Sequence, residues 1–157
     1  AVPTDRKIQK VDIITIDMGC KINGYCSDMT RTIFVGEVPK NMKDVYDLVL
    51  KNQEQVLDDM HDGASTKQIS KMVDNDFRLH NYDLIHALGH GVGLDIHEGP
   101  VLSINSENTL KENMIVTDEP GIYIPGQFGI RIEDTVLINK GTCEPLTKSN
   151  KKYVIVR

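Results

Sequence analysis

The sequence predicts an α+β domain in which two helices cover a sheet. Three observations lead to this prediction. Alternating apolar and polar residues flank an Asn-Gly pair at 23–24, apolar residues recur every three or four positions between 41 and 79, and short apolar runs follow in the last third. With 157 residues, the chain can bury a core without disulfides or zinc. We expect residues 1–157 to form a single domain.

The first element is a β-hairpin in which residues 11–20 pair with residues 25–35. Asn-Gly is the preferred dipeptide of a two-residue type I′ turn, and this turn makes Asp17 face Thr30. Asp17 then lies on the same face as Asp28 and diagonal to it. Diagonal neighbours have α-carbons roughly 7–8 Å apart, so the two carboxylates could share a cation. The alternative is an exposed polar face on which both aspartates are merely tolerated.

Two amphipathic helices are expected next. In residues 41–60 the apolar side chains recur three, four and seven positions apart, and Gly63 ends the helix. Ser65 and Gln68 have the spacing of a capping box for a second helix that runs to about Leu79. We interpret the acidic residues of both helices as a solvated face.

Three of the five histidines lie in HALGHGVGLDIHEGP, residues 86–100, where alternating glycines oppose a stable helix. The segment is not a GxGxxG fingerprint, so a dinucleotide site is not favoured. A lone histidine is more often structural, but His86, His90 and His97 together favour a site. On an extended chain His86 and His90 share a face and His97 does not. We therefore do not expect all three to be ligands.

Two glutamates stand out in the strands of the last third. Glu119 follows a strand at 114–117 and precedes a Pro-Gly break, and Glu133 lies inside a single strand predicted for residues 128–139. A buried strand does not tolerate an unpaired carboxylate. Glu133 is therefore paired with Arg131 on its own face, paired with a metal ion, or exposed. The tail adds a turn and a last strand.

Composition limits the partners of the protein. The net charge is −5 and no basic stripe is present, which favours a small substrate over a nucleic acid or an anionic membrane. The sequence contains no apolar run of membrane-spanning length. Cys20, Cys26 and Cys143 are an odd number without metal-binding spacing, which indicates free thiols in a reducing cytoplasm.

Five motifs carry a resemblance to a known family. They are IDMGC, GYCSDMTRT, HALGHGVGLDIHEGP, TDEPGIYIPG and GIRIEDT, and together they resemble the metalloaminopeptidases of the pita-bread fold, which include methionine aminopeptidase, aminopeptidase P and prolidase. The resemblance runs over essentially the whole sequence. It implies a curved antiparallel sheet covered by helices, with the N-terminal part of the catalytic domain lying upstream of this sequence. Asp118, before Glu-Pro-Gly, departs from the usual apolar residue, and we expect little consequence.

The resemblance also implies a centre with two divalent metal ions. Its ligands would be Asp17, Asp28, His90, Glu119 and Glu133, of which Asp28 and Glu133 would bridge the ions. Four carboxylates and one imidazole suit Mn²⁺ first, with Co²⁺, Zn²⁺ and Fe²⁺ as alternatives. The resemblance places His86, His97, Tyr123 and Arg131 around the centre as catalytic or substrate-contacting residues.

Within the family, Leu88 and Arg131 resemble the proline-specific branch. The implied activity is that of aminopeptidase P, in which a hydroxide activated by two metal ions cleaves a peptide with proline in second position. Glu119 would move the proton, and His97 or His86 would stabilise the oxyanion. The alternatives are Xaa-Pro dipeptidase, methionine aminopeptidase and a peptide-binding relative without catalysis. A homodimer is also expected from the resemblance.

Overall fold

The computed structural model describes residues 4–157 and confirms the α+β class. Strands occur before and after a central pair of helices. The elements are β1 (Ile13–Met18), β2 (Lys21–Ile22), β3 (Tyr25–Cys26), β4 (Met29–Val35), α1 (Lys40–Asp59), α2 (Thr66–Leu79), β5 (Gly89–Gly91), β6 (Glu98–Leu102), β7 (Ile115–Asp118), β8 (Gly121–Ile124), β9 (Phe128–Arg131), β10 (Asp134–Ile138), β11 (Cys143–Pro145) and β12 (Ile155–Val156).

The predicted hairpin forms in the predicted register. Strands β1 and β4 are antiparallel with Asp17 opposite Thr30, and β2 pairs with β3 nearer the tip. Asn23 and Gly24 have φ values of 52° and 90°, the left-handed conformation that a type I′ turn requires at both positions. Each arm is interrupted once, so the hairpin consists of two short ladders rather than one. The hairpin prediction is confirmed.

Both helices lie where the periodicity predicted them. Helix α1 buries Val49 and Val56 completely and lies against strands β7, β8, β9 and β11. Helix α2 is capped by Ser65, whose hydroxyl accepts a hydrogen bond from the backbone N–H of Gln68 at 3.4 Å. The helices therefore cover the sheet, as expected. None of the helices in residues 4–157 is long and apolar enough to cross a membrane.

Two sheets position the candidate metal ligands, and the two-stranded β8–β9 sheet carries Tyr123 and Arg131. A five-stranded antiparallel sheet has the order β11-β10-β7-β5-β6, and a three-stranded sheet has the order β1-β4-β12. Strand β12 pairs with β4 in parallel, which is an exception to the expected antiparallel arrangement. Strands β5, β7 and β10 of the larger sheet are neighbours, so residues at their ends come close together.

The single strand predicted for residues 128–139 is wrong, because the chain changes sheets at Ile132 and Glu133. Strand β9 pairs with β8, whereas β10 pairs with β7 and β11. Between them, the backbone N–H of Glu133 donates to the carbonyl oxygen of Thr30 at 3.1 Å. Residues 130–133 alternate apolar and polar as in a continuous strand, and alternation does not show which neighbouring strand each half pairs with. Glu133 thereby joins the hairpin to the five-stranded sheet.

Candidate metal centre

Three predicted ligands from three distant parts of the sequence come together. Asp28, His90 and Glu133 each offer a ligand atom, and these atoms lie within 4.8 Å of one another. Asp28 directly precedes β4, His90 is the middle residue of β5, and Glu133 occupies the junction between β9 and β10. His90 Nε2 is 3.6 Å from Asp28 Oδ2. A single divalent cation could contact all three side chains.

Glu119 lies beside this cluster, immediately after β7. Its Oε1 is 3.3 Å from His90 Nε2 and accepts a hydrogen bond from the hydroxyl of Thr117 at 3.1 Å. The same hydroxyl accepts the backbone N–H of His90 at 3.0 Å. Thr117 therefore ties Glu119 to the strand that carries His90.

Asp17 lies at the rim rather than inside the cluster. Its side chain is 57% exposed and forms an ion pair with the guanidinium of Arg131. It lies opposite Thr30, two residues after Asp28, and after burial its negative charge is the second cause of the raised pKa of the Asp28 carboxyl. The hairpin thus brings the two aspartates together, with Asp17 engaged by a neighbouring arginine.

Glu133 is buried, so the exposed alternative is wrong for this residue. It is 2% exposed, and its Oε2 accepts a hydrogen bond from the hydroxyl of Thr30 at 2.5 Å. The guanidinium of Arg131 instead donates to Tyr123, Asp17 and Thr30. Burial, and then the negative charges of Glu119 and Asp28, raise the pKa of Glu133 to about 8.

The negative charges crowded around the cluster favour binding of a divalent cation. Burial, Asp17 and Glu119 raise the pKa of Asp28, because each disfavours a further negative charge. Burial also acts to raise the pKa of Glu119, but the hydrogen bond and positive charge of His90 hold it below its usual value. A divalent cation would relieve the repulsion among these carboxylates. Four carboxylates with one imidazole form a hard, oxygen-rich donor set, so the residues fit divalent metal ions.

The remaining candidates surround an open cavity of about 760 Å³ next to the cluster. The predicted residues that line it are His86, His90, His97, Glu119, Tyr123 and Arg131. Asp28, Glu133 and Asp17 do not line it. The cavity therefore brings the proposed catalytic residues to one side of the candidate ligands.

His97 lies closer to His90 than an extended chain would allow. The chain leaves the strand conformation after Gly91 and returns at Glu98, so the parity argument does not apply to His97. The rings of His90 and His97 have centroids 4.4 Å apart. His86 stacks edge-on to Tyr123 at 5.4 Å. All three reach the same cavity, but only His90 belongs to the cluster of ligand atoms.

His86 is held in one orientation. Its Nδ1 is 2.7 Å from the carbonyl oxygen of Ala87, so Nδ1 carries a proton and donates it to this bond. Its Nε2 is buried and has no hydrogen-bond partner among the described residues. A buried imidazole nitrogen without a partner, in the wall of a cavity, is available to a ligand.

Sequence reasoning missed Thr30 as a residue of the site. Thr30 is fully buried, and its hydroxyl donates to Glu133 while accepting a 3.1 Å hydrogen bond from Nε of Arg131. The available signal was the hairpin register, which places Thr30 opposite Asp17 and two residues after Asp28. Thr30 connects the rim of the cavity to the buried carboxylate.

The sequence and the fold both have known relatives. The sequence profile of Metallopeptidase family M24 matches residues 1–140. The Xaa-Pro dipeptidase of Pyrococcus furiosus is 41% identical over 155 residues, which cover 98% of this chain and 44% of that protein. The chain therefore spans less than half the length of this relative.

Solved structures agree with the sequence comparison. The X-Pro aminopeptidase from Thermotoga maritima superposes with a TM-score of 0.93 at 37% identity, covering 98% of this chain and 44% of that one. The prolidase from Pyrococcus horikoshii superposes with a TM-score of 0.93 at 39% identity, covering 96% of this chain and 44% of that one. These superpositions confirm the expected pita-bread fold.

Proposed function

This chain belongs to metallopeptidase family M24, and from that premise we propose that it is part of a metal-dependent peptidase that cleaves Xaa-Pro bonds. The observation that carries the proposal is the convergence of Asp28, His90, Glu119 and Glu133 beside a cavity of about 760 Å³. The activity is carried over from relatives more than twice as long as this chain, so it is proposed for the protein that contains this sequence.

The names of the relatives favour an Xaa-Pro dipeptidase. The relatives from Pyrococcus furiosus and Pyrococcus horikoshii bear that name at 41% and 39% identity. Aminopeptidase P, the activity first expected from the sequence, is the second candidate, supported by the X-Pro aminopeptidase from Thermotoga maritima. The dipeptidase is the better-supported reading of the two.

Asp17, Asp28, His90, Glu119 and Glu133 would hold two divalent ions, of which Mn²⁺ is our first choice. When bound, such ions lower the pKa of a shared water and polarise a carbonyl oxygen. This chemistry suits hydrolysis of an amide bond. Asp17 and Asp28 come from the hairpin, whereas His90, Glu119 and Glu133 come from β5, the end of β7 and the β9–β10 junction, so the centre can form only when both sheets are in place.

The residues of the chain itself supply proton transfer and charge stabilisation. Glu119 presents a carboxylate to the cavity, where it could accept a proton from water. His86, whose Nδ1 donates to Ala87, presents Nε2 to the cavity as a hydrogen-bond acceptor, so it could stabilise a negatively charged oxygen only as an imidazolium. His97 lines the same cavity and is the alternative donor.

Two further activities weighed from the sequence have less support. A methionine aminopeptidase would be expected to show a different residue near Leu88, and the relatives compared above are proline-specific by name. A binding relative without catalysis would be expected to lack some ligand positions. All five are present in this sequence.

The test is metal loading followed by cleavage. The chain would be reconstituted with Mn²⁺, its bound metal counted, and Ala-Pro compared with a longer Xaa-Pro peptide and with Met-Ala. We expect two ions per chain and cleavage of Ala-Pro above the others. Preference for the longer peptide would favour the aminopeptidase, and preference for Met-Ala would contradict proline specificity. Two ions without any cleavage would support the centre and contradict activity of this chain.

Compartment and assembly are also proposed rather than observed. Cys20, Cys26 and Cys143 are free thiols in the structure, which supports a reducing compartment such as the cytoplasm. The expected homodimer stays a prediction. Sedimentation in the analytical ultracentrifuge would measure the oligomeric state directly.

A further inference from the structure

A buried polar cluster adjoins the candidate metal centre and takes no part in the chemistry proposed above. Asp118 and Asp134 face each other as the end pair of the β7–β10 ladder and are 0% and 1% exposed. Asp118 directly precedes the candidate ligand Glu119, and Asp134 directly follows the candidate ligand Glu133. Because successive side chains in extended chain point to opposite faces, the aspartates project away from the glutamates.

Gln53 of α1 joins the two aspartates. Its Nε2 donates to Asp118 Oδ2 at 3.0 Å and to Asp134 Oδ2 at 3.1 Å, and the residue is fully buried. Asp134 has two further partners, Arg31 at 2.6 Å and Lys151 at 3.3 Å. Within the described residues, Gln53 supplies the only hydrogen bond that the Asp118 side chain receives, and Asp118 Oδ1 has none.

The position of this bridge matters because the ladder ends there. Beyond Asp118 and Asp134 the two strands diverge. The backbone N–H of Glu119 donates to the carbonyl oxygen of Leu88, and the backbone N–H of Glu133 donates to the carbonyl oxygen of Thr30. Asp118 and Asp134 are both buried, and Gln53 is the one described donor that hydrogen-bonds to both carboxyl groups. Without this shared donor, the two carboxyl groups would face each other with no hydrogen-bonded link between the strand ends.

We propose that Gln53 is a positioning residue, which holds Glu119 and Glu133 at the separation needed for metal binding by bridging Asp118 and Asp134. The inference rests on the proposed metal centre. Among residues 4–157, the side chain of Gln53 hydrogen-bonds only to these two aspartates, and its Oε1 is buried without a partner. Helix α1 packs against β7 and thereby anchors the bridge.

The test replaces Gln53 by methionine, which has a similar length and no donor. The matched control is Asn52→Leu on the same helix, since Asn52 is 2% exposed but donates to Leu48 and Asp76 instead. We expect Gln53→Met to bind Mn²⁺ about 10–100-fold more weakly by titration calorimetry, as is typical when the support of a ligand is lost. Asn52→Leu should lose stability and keep its affinity.

A second readout needs no metal. NMR would follow hydrogen exchange at the backbone amides of Glu119 and Glu133. We expect this exchange to be faster in Gln53→Met than in Asn52→Leu when the two variants are compared at equal stability. If Gln53→Met does not fold, Gln53→His, whose ring N–H can reach one carboxylate, provides a milder comparison with a smaller expected loss.

Rescue separates positioning from a general structural role. Asp118→Asn provides a side-chain N–H that can donate to Asp134, so adding it to Gln53→Met should restore most of the Mn²⁺ affinity. Wild-type affinity and unchanged amide exchange in Gln53→Met would overturn the inference. Failure of the wild-type chain to bind Mn²⁺ would overturn the metal centre instead, and the exchange comparison would still decide whether Gln53 holds the strand ends.

Discussion

Asp17 and Arg131 form an ion pair that joins strand β1 of the hairpin to the end of strand β9. The same guanidinium donates to the hydroxyl of Tyr123 at 2.9 Å and to Thr30 at 3.1 Å, and its Nε lies 3.8 Å from Glu119. Arg131 therefore pairs with two candidate ligands, Asp17 and Glu119, and reaches a third, Glu133, through Thr30. A planar guanidinium is required for so many simultaneous contacts.

The contacts of Arg131 predict that Arg131→Lys impairs catalysis. A lysine ammonium cannot reach Asp17, Tyr123 and Thr30 together, so the rim of the cavity should lose its alignment. We expect kcat/KM on Ala-Pro to fall by about 10²-fold, with little change in the free energy of unfolding. Arg78→Lys on α2 is the matched control, because Arg78 is mostly exposed and pairs with Asp74. Equal activity in the two variants would contradict the role of Arg131.

Metal binding should stabilise the fold. A ligand that binds only the folded state contributes about 2.7 kcal/mol at a concentration of 100 times its Kd. For a chain of this size, we expect Mn²⁺ to raise the melting temperature by roughly 5–10 °C. Asp28→Asn should abolish most of this increase, whereas Asp44→Asn, an exposed residue of α1, should retain it. A full increase in Asp28→Asn, measured by calorimetry, would show that Asp28 is not a ligand.

The pKa of Glu133 predicts how the metal-free chain responds to pH. Its pKa is about 8 in the folded state, above its usual value of 4.5, so the folded state retains a proton that the unfolded state has lost. Stability should therefore fall as the pH rises from about 5 to about 8. Urea unfolding at several pH values would measure the slope. Glu133→Gln should flatten it, and an unchanged slope in that variant would assign the effect to another group.

The buried ion pair of Arg31 with Asp134 predicts a large loss of stability on truncation. The two side chains are 10% and 2% exposed, so Arg31→Met leaves a carboxylate buried with less compensation. We expect a loss of about 3–5 kcal/mol in urea unfolding. Arg6→Met removes a pair with Asp12 in which the arginine is 61% exposed, and it should leave the free energy of unfolding nearly unchanged. Similar losses in both variants would contradict the argument from burial.

Local patterns were enough to predict the hairpin and the helices. The type I′ turn at Asn23-Gly24 sets the register, and the register alone places Asp17 opposite Thr30. The cap at Ser65 and the apolar spacing likewise bound α2 within one residue of its observed start. These features depend on residues close in sequence, so the sequence carries the whole signal.

The resemblance to the family named the five candidate ligands, and local geometry independently supported only Asp17 and Asp28. The change of sheet at Glu133 was missed because Ile132 and Glu133 continue an apparently regular strand pattern. What they pair with depends on the hairpin about 100 residues earlier, through Thr30. Alternation within a strand says nothing about its partner.

The sequence by itself determined the class of fold, the hairpin register, the two helices and the set of chemically suitable residues. Only the tertiary structure decided that Glu133 is buried against Thr30, that Arg131 turns to Asp17, and that Gln53 bridges Asp118 and Asp134. The physical reason is that turns, caps and periodicity are properties of neighbouring residues. Burial of a charge, and the donor that compensates it, depend on segments that meet only when the chain has folded.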